Sequence, residues 1–364
     1  MAPGIESASI SVLRLYDVAN AIDLAVAERS AAAAAAATRI QLTQAKRKAI
    51  AYGEPPVEIA LGRAVIPGVG EAIEADVIAR IFDFGTVTLA LRVRADGLDW
   101  DGFVERVARV NGALEASVVW SEQLGRVTQL IGTSLDKPTQ TPLEEDYLVA
   151  TINRFAEPIT ADRILAEVDV ARLLSGERQP LSKGARDELL RNTFSYFTDD
   201  LVVLTWDRAF VVEPSGDRDV ADVLEVANAQ LLELRYYDTL LDNELPRMYE
   251  RVEQARQTFG GLARRRYAAL ARDIYTRVAE VTEIAERVDN ALIVTEDVYL
   301  ARIYGAALEL FRVRAWNAAV ERKLAIMRDT YSALYDEAAT SRAEVLEAAI
   351  VLLIVLEIIL AFVL

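Results

Sequence analysis

The chain contains no cysteine and no histidine in its 364 residues. The first absence excludes disulfides, thiol nucleophiles and thiolate metal centres. The second excludes imidazole general bases and Ser-His-Asp triads, and together they remove every Cys/His zinc site. Lysine is scarce: only Lys46, Lys48, Lys137, Lys183 and Lys323 occur, so arginine carries most of the positive charge. Met1 to Ile10 has no basic stretch and no apolar run, so neither a secretory signal nor a mitochondrial transit peptide is expected. A phosphate loop is missing too. Pro67-Gly68-Val69-Gly70 offers Gly-x-Gly without a third glycine or a following lysine, and reads as a turn.

What is present points to a folded, acidic chain. Hydrophobic residues make up 52% and charged residues 26%, which excludes a disordered or fibrous chain. The length exceeds the usual single core, so two domains or a domain with an extension are expected. Acids outnumber bases 56 to 40, a net charge of −16, which opposes wholesale wrapping of nucleic acid but leaves room for local basic patches.

The pattern predicts an α+β fold: a mixed α/β domain over residues 1–216, long antiparallel helices over 217–345, and a transmembrane helix over 346–364. In the first part, Val87, Leu89, Leu91 and Val93 alternate with Thr86, Thr88, Ala90, Arg92 and Arg94, the clearest strand in the chain. Strands are also expected at Ser9–Val18, Val57–Ile66 and Tyr147–Phe155, with Leu201–Trp206 and Ala209–Val212 forming a buried hairpin. The alanine-rich stretch from Ala19 to Ile50 reads as helix by propensity. Helices are expected at Asp101–Leu114, Ala161–Leu174 and Lys183–Phe197, a short strand at Ala116–Trp120 and a loop at Leu135–Pro142. Beyond Asp217 the apolar period turns helical. Pro246 should kink or interrupt the first long helix. A second is expected from Leu262 to about Ile293. A third begins near Thr295, which offers an N-cap, and should break near Thr340-Ser341.

The apolar run at the end carries the address. Ala348 to Leu364 holds one charge, Glu357, and on transfer scales insertion outweighs that acid. Ala348, Ile350, Leu353, Glu357, Leu360 and Leu364 mark the expected membrane anchor, with Glu347 at its entrance. The expected location is a bacterial cytoplasmic membrane, single-pass, with the folded body in the cytoplasm. The competing reading is a helix buried in a soluble oligomer. Glu357 either faces a neighbouring helix or reaches headgroups.

The remaining motifs are weaker. Arg264-Arg265-Arg266 could grip RNA phosphates or lipid headgroups, although a helix face paired with nearby acids explains it better. Glu144-Glu145-Asp146 and Asp199-Asp200 could ligate Mg²⁺, although adjacent acids are more often solvated ends. No catalytic, cofactor-binding or metal-binding residue is assigned, no cofactor is expected, and no small-molecule substrate is identified.

Several blocks together resemble the family called required for meiotic nuclear division, also YagE-like or domain of unknown function 155. They begin with Ile81-Phe82-Asp83-Phe84-Gly85 and Leu204-Thr205-Trp206. Asn228, Glu233, Arg235 and Asp238 follow on one helix, then Asp289-Asn290, Asp297 with Tyr299, Lys323, and finally Glu347 before the apolar run. The resemblance implies a membrane protein with one C-terminal span that self-associates and supports translation. The expected function is a self-associating, membrane-anchored scaffold or tether without catalytic activity, with the membrane, copies of itself and possible ribosome or RNA contacts as partners. The alternatives are an RNA-binding factor using arginine patches and a Mg²⁺-dependent enzyme built on carboxylates.

Overall fold

The computed structural model describes residues 3–32, 37–39, 50–52, 55–68, 72–139, 142–256, 269–276, 278–279, 282, 292–294 and 297–363. The expectations placed on Lys46 and Lys48, Arg264-Arg265-Arg266, Asp289-Asn290, Thr295 and Leu364 lie outside the described residues.

The chain divides into two units. The first comprises Met1–Glu233 and Arg287–Arg314, the second Leu234–Glu286 and Ala315–Leu364.

The first unit is built on a large sheet. Its strands are β1 (Ile5–Asp17), β3 (Ala37–Arg39), β5 (Val57–Ile66), β6 (Ile73–Ile81), β7 (Thr86–Arg94), β9 (Glu144–Phe155), β10 (Thr193–Phe194), β11 (Leu201–Leu204) and β12 (Arg208–Val212). They lie in the order β10-β11-β12-β9-β1-β7-β6-β5-β3. Pairings are antiparallel except between β12 and β9. Two smaller sheets pair β2 (Ala19–Ile22) with β8 (Leu135–Pro138) and β4 (Ile50–Tyr52) with β13 (Leu292–Val294). Among the described residues the helices include α1 (Leu24–Ala32), α2 (Trp100–Glu115), α3 (Val119–Ile131), α4 (Ala161–Glu167), α5 (Val170–Ser175), α6 (Lys183–Leu189), α7 (Asp219–Arg256), α8 (Val298–Leu310) and α9 (Val313–Val363), and residues 269–276 are helical too.

Alternation along the strands sorts residues onto two faces. Ile10 and Val12 of β1 and Val87, Leu89, Leu91 and Val93 of β7 join Phe103 and Val107 of α2 and Trp120 of α3 in one apolar core. The opposite face of β7 is not solvated. Thr86 and Thr88 are buried there, and Thr86 donates to Glu233 of α7 at 2.6 Å. The alternating strand was legible, but both of its faces are covered.

In the second unit, Val320, Leu324 and Met327 of α9 are buried at coiled-coil spacing, with Leu334 seven residues further on. Lys323 Nζ is held by Asp238 Oδ1 at 2.6 Å and Asp242 Oδ1 at 2.7 Å. Arg251 pairs with Asp273, and the Tyr275 and Tyr331 rings lie 5.7 Å apart.

Several expectations need correction. The stretch from Ala19 to Ile50 is not one helix: Ala19, Ala21 and Ile22 pair with β8, and among its described residues only Leu24–Ala32 is helical. Strand pairing here overrides alanine propensity. The expected strand at Ala116–Trp120 is the entry to α3, and β10 replaces the end of the helix expected through Phe197. Strand β6 was not foreseen. Pro246 lies inside α7, which is not interrupted there. The third long helix is capped by Asp297, whose Oδ1 accepts from the amides of Tyr299 and Leu300 at 2.9 and 3.2 Å. It breaks at Arg312, which has φ 54°, and α9 then runs through Thr340-Ser341.

The largest correction concerns the membrane. Among the described residues, no helix is long and apolar enough to cross one. The fold class therefore loses its transmembrane helix, and the tail anchor and single-pass location lose their support. The physical reason lies in the run's size. Its seventeen residues span only about 25 Å of helix, short of a hydrocarbon core of roughly 30 Å, and Glu357 sits within it.

Candidate functional site

Three groups of polar side chains in the first unit merit comparison. The first is a buried ionic network between the sheet and α7. Strand register places Glu58, Arg80 and Thr88 side by side. Arg80 Nη1 donates to Asp222 Oδ1 at 2.7 Å and Glu225 Oε2 at 2.5 Å, and its Nε donates to Glu58 Oε2 at 3.2 Å. Burial raises the pKa of Glu225 against the opposing pull of Arg80. Arg92 is pushed down to about 10 by burial and by the neighbouring Arg218 and Arg80 guanidiniums. These groups are mostly spent on one another, so the network fastens α7 to the sheet rather than presenting reactive atoms.

The second group lines an open groove of about 1090 Å³ beside α2 and α5, with Arg109, Arg172, Arg178 and Arg208 in its wall. Arg172 is tied to Asp101 at 3.0 Å and Arg208 to Asp207 at 3.1 Å. Gly176 makes room for Arg208. A Cβ there would come within 2.5 Å of the guanidinium, and its φ of +69° also favours glycine.

The third is a cavity of about 360 Å³ lined by Asp199, Asp200, Glu213, Asp217, Asp219 and Asp297, together with Phe197, Val220, Tyr299 and Leu300. The starts of α7 and α8 both reach it. Local structure uses several of these acids. Asp200 Oδ1 accepts from the amides of Tyr196 and Phe197 at 2.7 and 3.1 Å, Glu213 Oε1 accepts from the Ser215 hydroxyl at 2.7 Å, and Asp297 caps α8. The side chains of Asp199 and Asp219 make no hydrogen bond or ion pair with described residues. Burial, reinforced by Asp217, Asp222, Glu213 and Asp297, pushes the Asp219 carboxyl up to about 6. Tyr299 is 8% exposed, and its hydroxyl is buried without a hydrogen-bond partner. Burial, then Asp200 and Glu213, raise its pKa. Tyr196 and Phe197 stand exposed nearby, the Tyr196 ring 5.5 Å from that of Tyr299. Among the described residues, no group of three or more acids could hold a metal ion.

A family described as "Uncharacterized protein MJ0711, N-terminal domain" matches residues 7–218. The chain belongs to this family. A relative from Methanocaldococcus jannaschii, named "Uncharacterized protein MJ0711", is 26% identical over 220 residues. That stretch covers 60% of this chain and 66% of the relative, just under two thirds of its length. No solved structure matches the chain. The MJ0711 N-terminal domain segment holds the large sheet from residue 7 onward and the whole arginine groove. The acidic cavity takes Asp219, Asp297 and Tyr299 from beyond it.

This membership overturns the resemblance to the required-for-meiotic-nuclear-division or YagE-like family. Short blocks scattered along a chain can agree in order without a shared origin, whereas the MJ0711 match is one extended segment. The membrane and translation roles carried by that resemblance lose their basis with it.

The structure disperses the residues singled out earlier. Phe82 stacks on Phe84 at 5.1 Å, and Gly85 turns the chain between β6 and β7. Trp206 is exposed, its ring 6.0 Å from that of Phe311. Asn228 and Glu233 are buried on α7, and Asn228 Nδ2 donates to the Leu224 carbonyl at 2.9 Å. Arg235, Asp238 and Lys323 belong to the second unit. Asp297 and Tyr299 meet at the acidic cavity. Asp199-Asp200 does line that cavity. Asp217 and Asp219 are not singled out in the sequence, because their convergence with Asp297 and Tyr299 depends on elements distant in sequence. The Glu144-Glu145-Asp146 acids open β9 instead. Ile350, Leu353 and Glu357 are exposed on α9; Glu347, Ala348 and Leu360 lie on the same helix.

Proposed function

We propose that the chain is a self-associating scaffold whose copies meet through the last turns of α9. One observation carries this reading. Ile350, Val351, Leu352, Leu353, Ile354, Val355 and Ile358 are between 49% and 68% exposed. An amphipathic helix needs one covered face, but six consecutive large apolar residues point around the whole circumference. A single groove covers one side only, whereas packing against two neighbouring copies covers a wider arc of the helix. The charge pattern agrees with this, since residues 260–345 balance acids against bases while residues 1–216 are acidic. Copies therefore meet with least repulsion through the helical region.

The test is the mass in solution of the full chain, by light scattering, against a variant carrying Leu353→Asn and Ile354→Asn. Assembly in the parent and dissociation in the variant are expected, with the first unit's melting unchanged. A monomeric parent, or assembly indifferent to the substitutions, overturns the reading.

A second reading is binding of a phosphate-bearing ligand, and the arginine groove favours it. Arg109 and Arg178 join the paired Arg172 and Arg208 in its wall, where four arginines outnumber Glu105 and Glu177. Retention of a short RNA or polyphosphate that falls as salt rises, and that Arg109→Ala with Arg178→Ala weakens, would support it.

A further inference from the structure

We propose that the acidic cavity at the starts of α7 and α8 is a binding site for an alkylammonium ion, with the Tyr299 hydroxyl and the Asp219 and Asp199 carboxylates as its polar contacts. Two independent observations converge. Six carboxylates line the cavity, and its lining includes no arginine or lysine. Separately, Tyr299 is more than nine-tenths buried at the cavity wall with its hydroxyl unpartnered. Burying a hydroxyl without a partner costs free energy, so a native chain that retains one there is set to receive a hydrogen-bonding group.

The chemistry of the lining selects the cation. Among the described residues the acids do not converge tightly enough to ligate a metal ion. A volume of about 360 Å³ also exceeds what a bare ion fills. The carboxylates would accept the N–H bonds of an ammonium group, as would the lone pair of the Tyr299 oxygen. Val220, Leu300 and Phe197 offer apolar surface for an aliphatic stem. The exposed Tyr196 and Phe197 rings beside the cavity add aromatic faces that attract a cation. A short aliphatic diamine meets each of these features.

Protons compete with such a ligand. Asp219 faces Asp217 and Glu213 from the preceding loop, Asp222 on its own helix and Asp297 at the α8 cap, and burial, with these acids, holds it partly protonated near pH 6. Arg302 is the cation nearest Tyr299 in influence. Affinity should therefore fall as pH drops from 7.5 to 5.5.

The test is calorimetric titration of the full chain with putrescine, with n-butylammonium and Mg²⁺ as comparison probes. Saturable putrescine binding is expected. Tyr299→Phe keeps the ring and removes only the hydroxyl, and should weaken binding about tenfold, the worth of one hydrogen bond to a charged group. Asp219→Asn should weaken it similarly and flatten its pH dependence. Thermal melts of both variants distinguish a lost contact from a lost fold. Should Asp219→Asn disturb folding, Tyr299→Phe still decides. Absence of saturable binding, binding indifferent to Tyr299→Phe in a folded variant, or Mg²⁺ binding that putrescine does not displace each overturns the proposal.

Discussion

Arg80 Nη1 lies 2.7 Å from Asp222 Oδ1, a strand residue and a helix residue 142 positions apart in sequence and both buried. Glu225 approaches the same nitrogen, so one guanidinium serves two buried acids. Replacing Arg80 by Met should cost about 3–5 kcal/mol, because two buried carboxylates lose their cation. Burial already favours the neutral form of Glu225, so Glu225→Gln should cost less than about 1.5 kcal/mol. Urea denaturation of the two variants checks the asymmetry, and equal losses would contradict it.

Gly85 is held by geometry. Its φ is +104°, and a Cβ there would lie 1.8 Å from the Ala19 carbonyl oxygen. That backbone cannot retreat easily, because Val18 N donates to the Gly85 carbonyl at 3.1 Å and Ile22 N to that of Asp83 at 2.8 Å. Gly85→Ala should destabilise by more than about 3 kcal/mol, combining overpacking with left-handed strain. Gly97→Ala is the control. It shares a positive φ of +71° but meets nothing within 4 Å, so it should cost only about 1–2 kcal/mol. Similar losses at both positions would refute the steric account.

Asp17 is 1% exposed, its Oδ1 has no hydrogen-bond partner, and burial pushes its carboxyl up to about 7. The folded chain thus holds this proton more tightly than the unfolded chain. The associated stability is fully present below the unfolded value near 3.8 and is lost as pH rises through about 7. Asp17→Asn stays neutral throughout. It should raise stability at pH 8.5 by about 1–3 kcal/mol and change it little at about pH 3.5, below the unfolded value. Melting curves of parent and variant across this range test the point, and parallel curves would exclude it.

Glu357 is the one acid within the exposed apolar turns of α9. If copies bury these turns against each other, each copy must also remove that charge from water. Glu357→Gln should then strengthen assembly at pH 7.5 by about tenfold, roughly 1.4 kcal/mol. Sedimentation over a concentration series reads the change. Unaltered or weakened assembly would place Glu357 outside the contact.

Short-range pattern explains which parts of the fold were legible. The alternation of Val87, Leu89, Leu91 and Val93 announced β7, and the apolar runs on either side of Asp207-Arg208 announced the β11–β12 hairpin. Both signals lie within a few residues and report a local period. Ala19 to Ile50 misled because alanine propensity is a weak prior, and β2 answers to a partner, β8, more than a hundred residues away. The cavity was half visible in Asp199-Asp200. Its decisive member, Tyr299, entered through the family resemblance rather than through its own chemistry, because nothing near it in sequence shows that its hydroxyl ends without a partner.

Composition alone removed cysteine and histidine chemistry, set an acidic charge and marked the long helices, because those properties depend on which residues are present and on their local spacing. Only the tertiary structure decided that the second face of β7 is buried under α7, that Arg80 serves acids from a distant helix, and that six carboxylates gather around one buried tyrosine. Each of these is a contact between segments far apart in the chain. Such contacts are fixed by packing and sheet register, which no local period encodes.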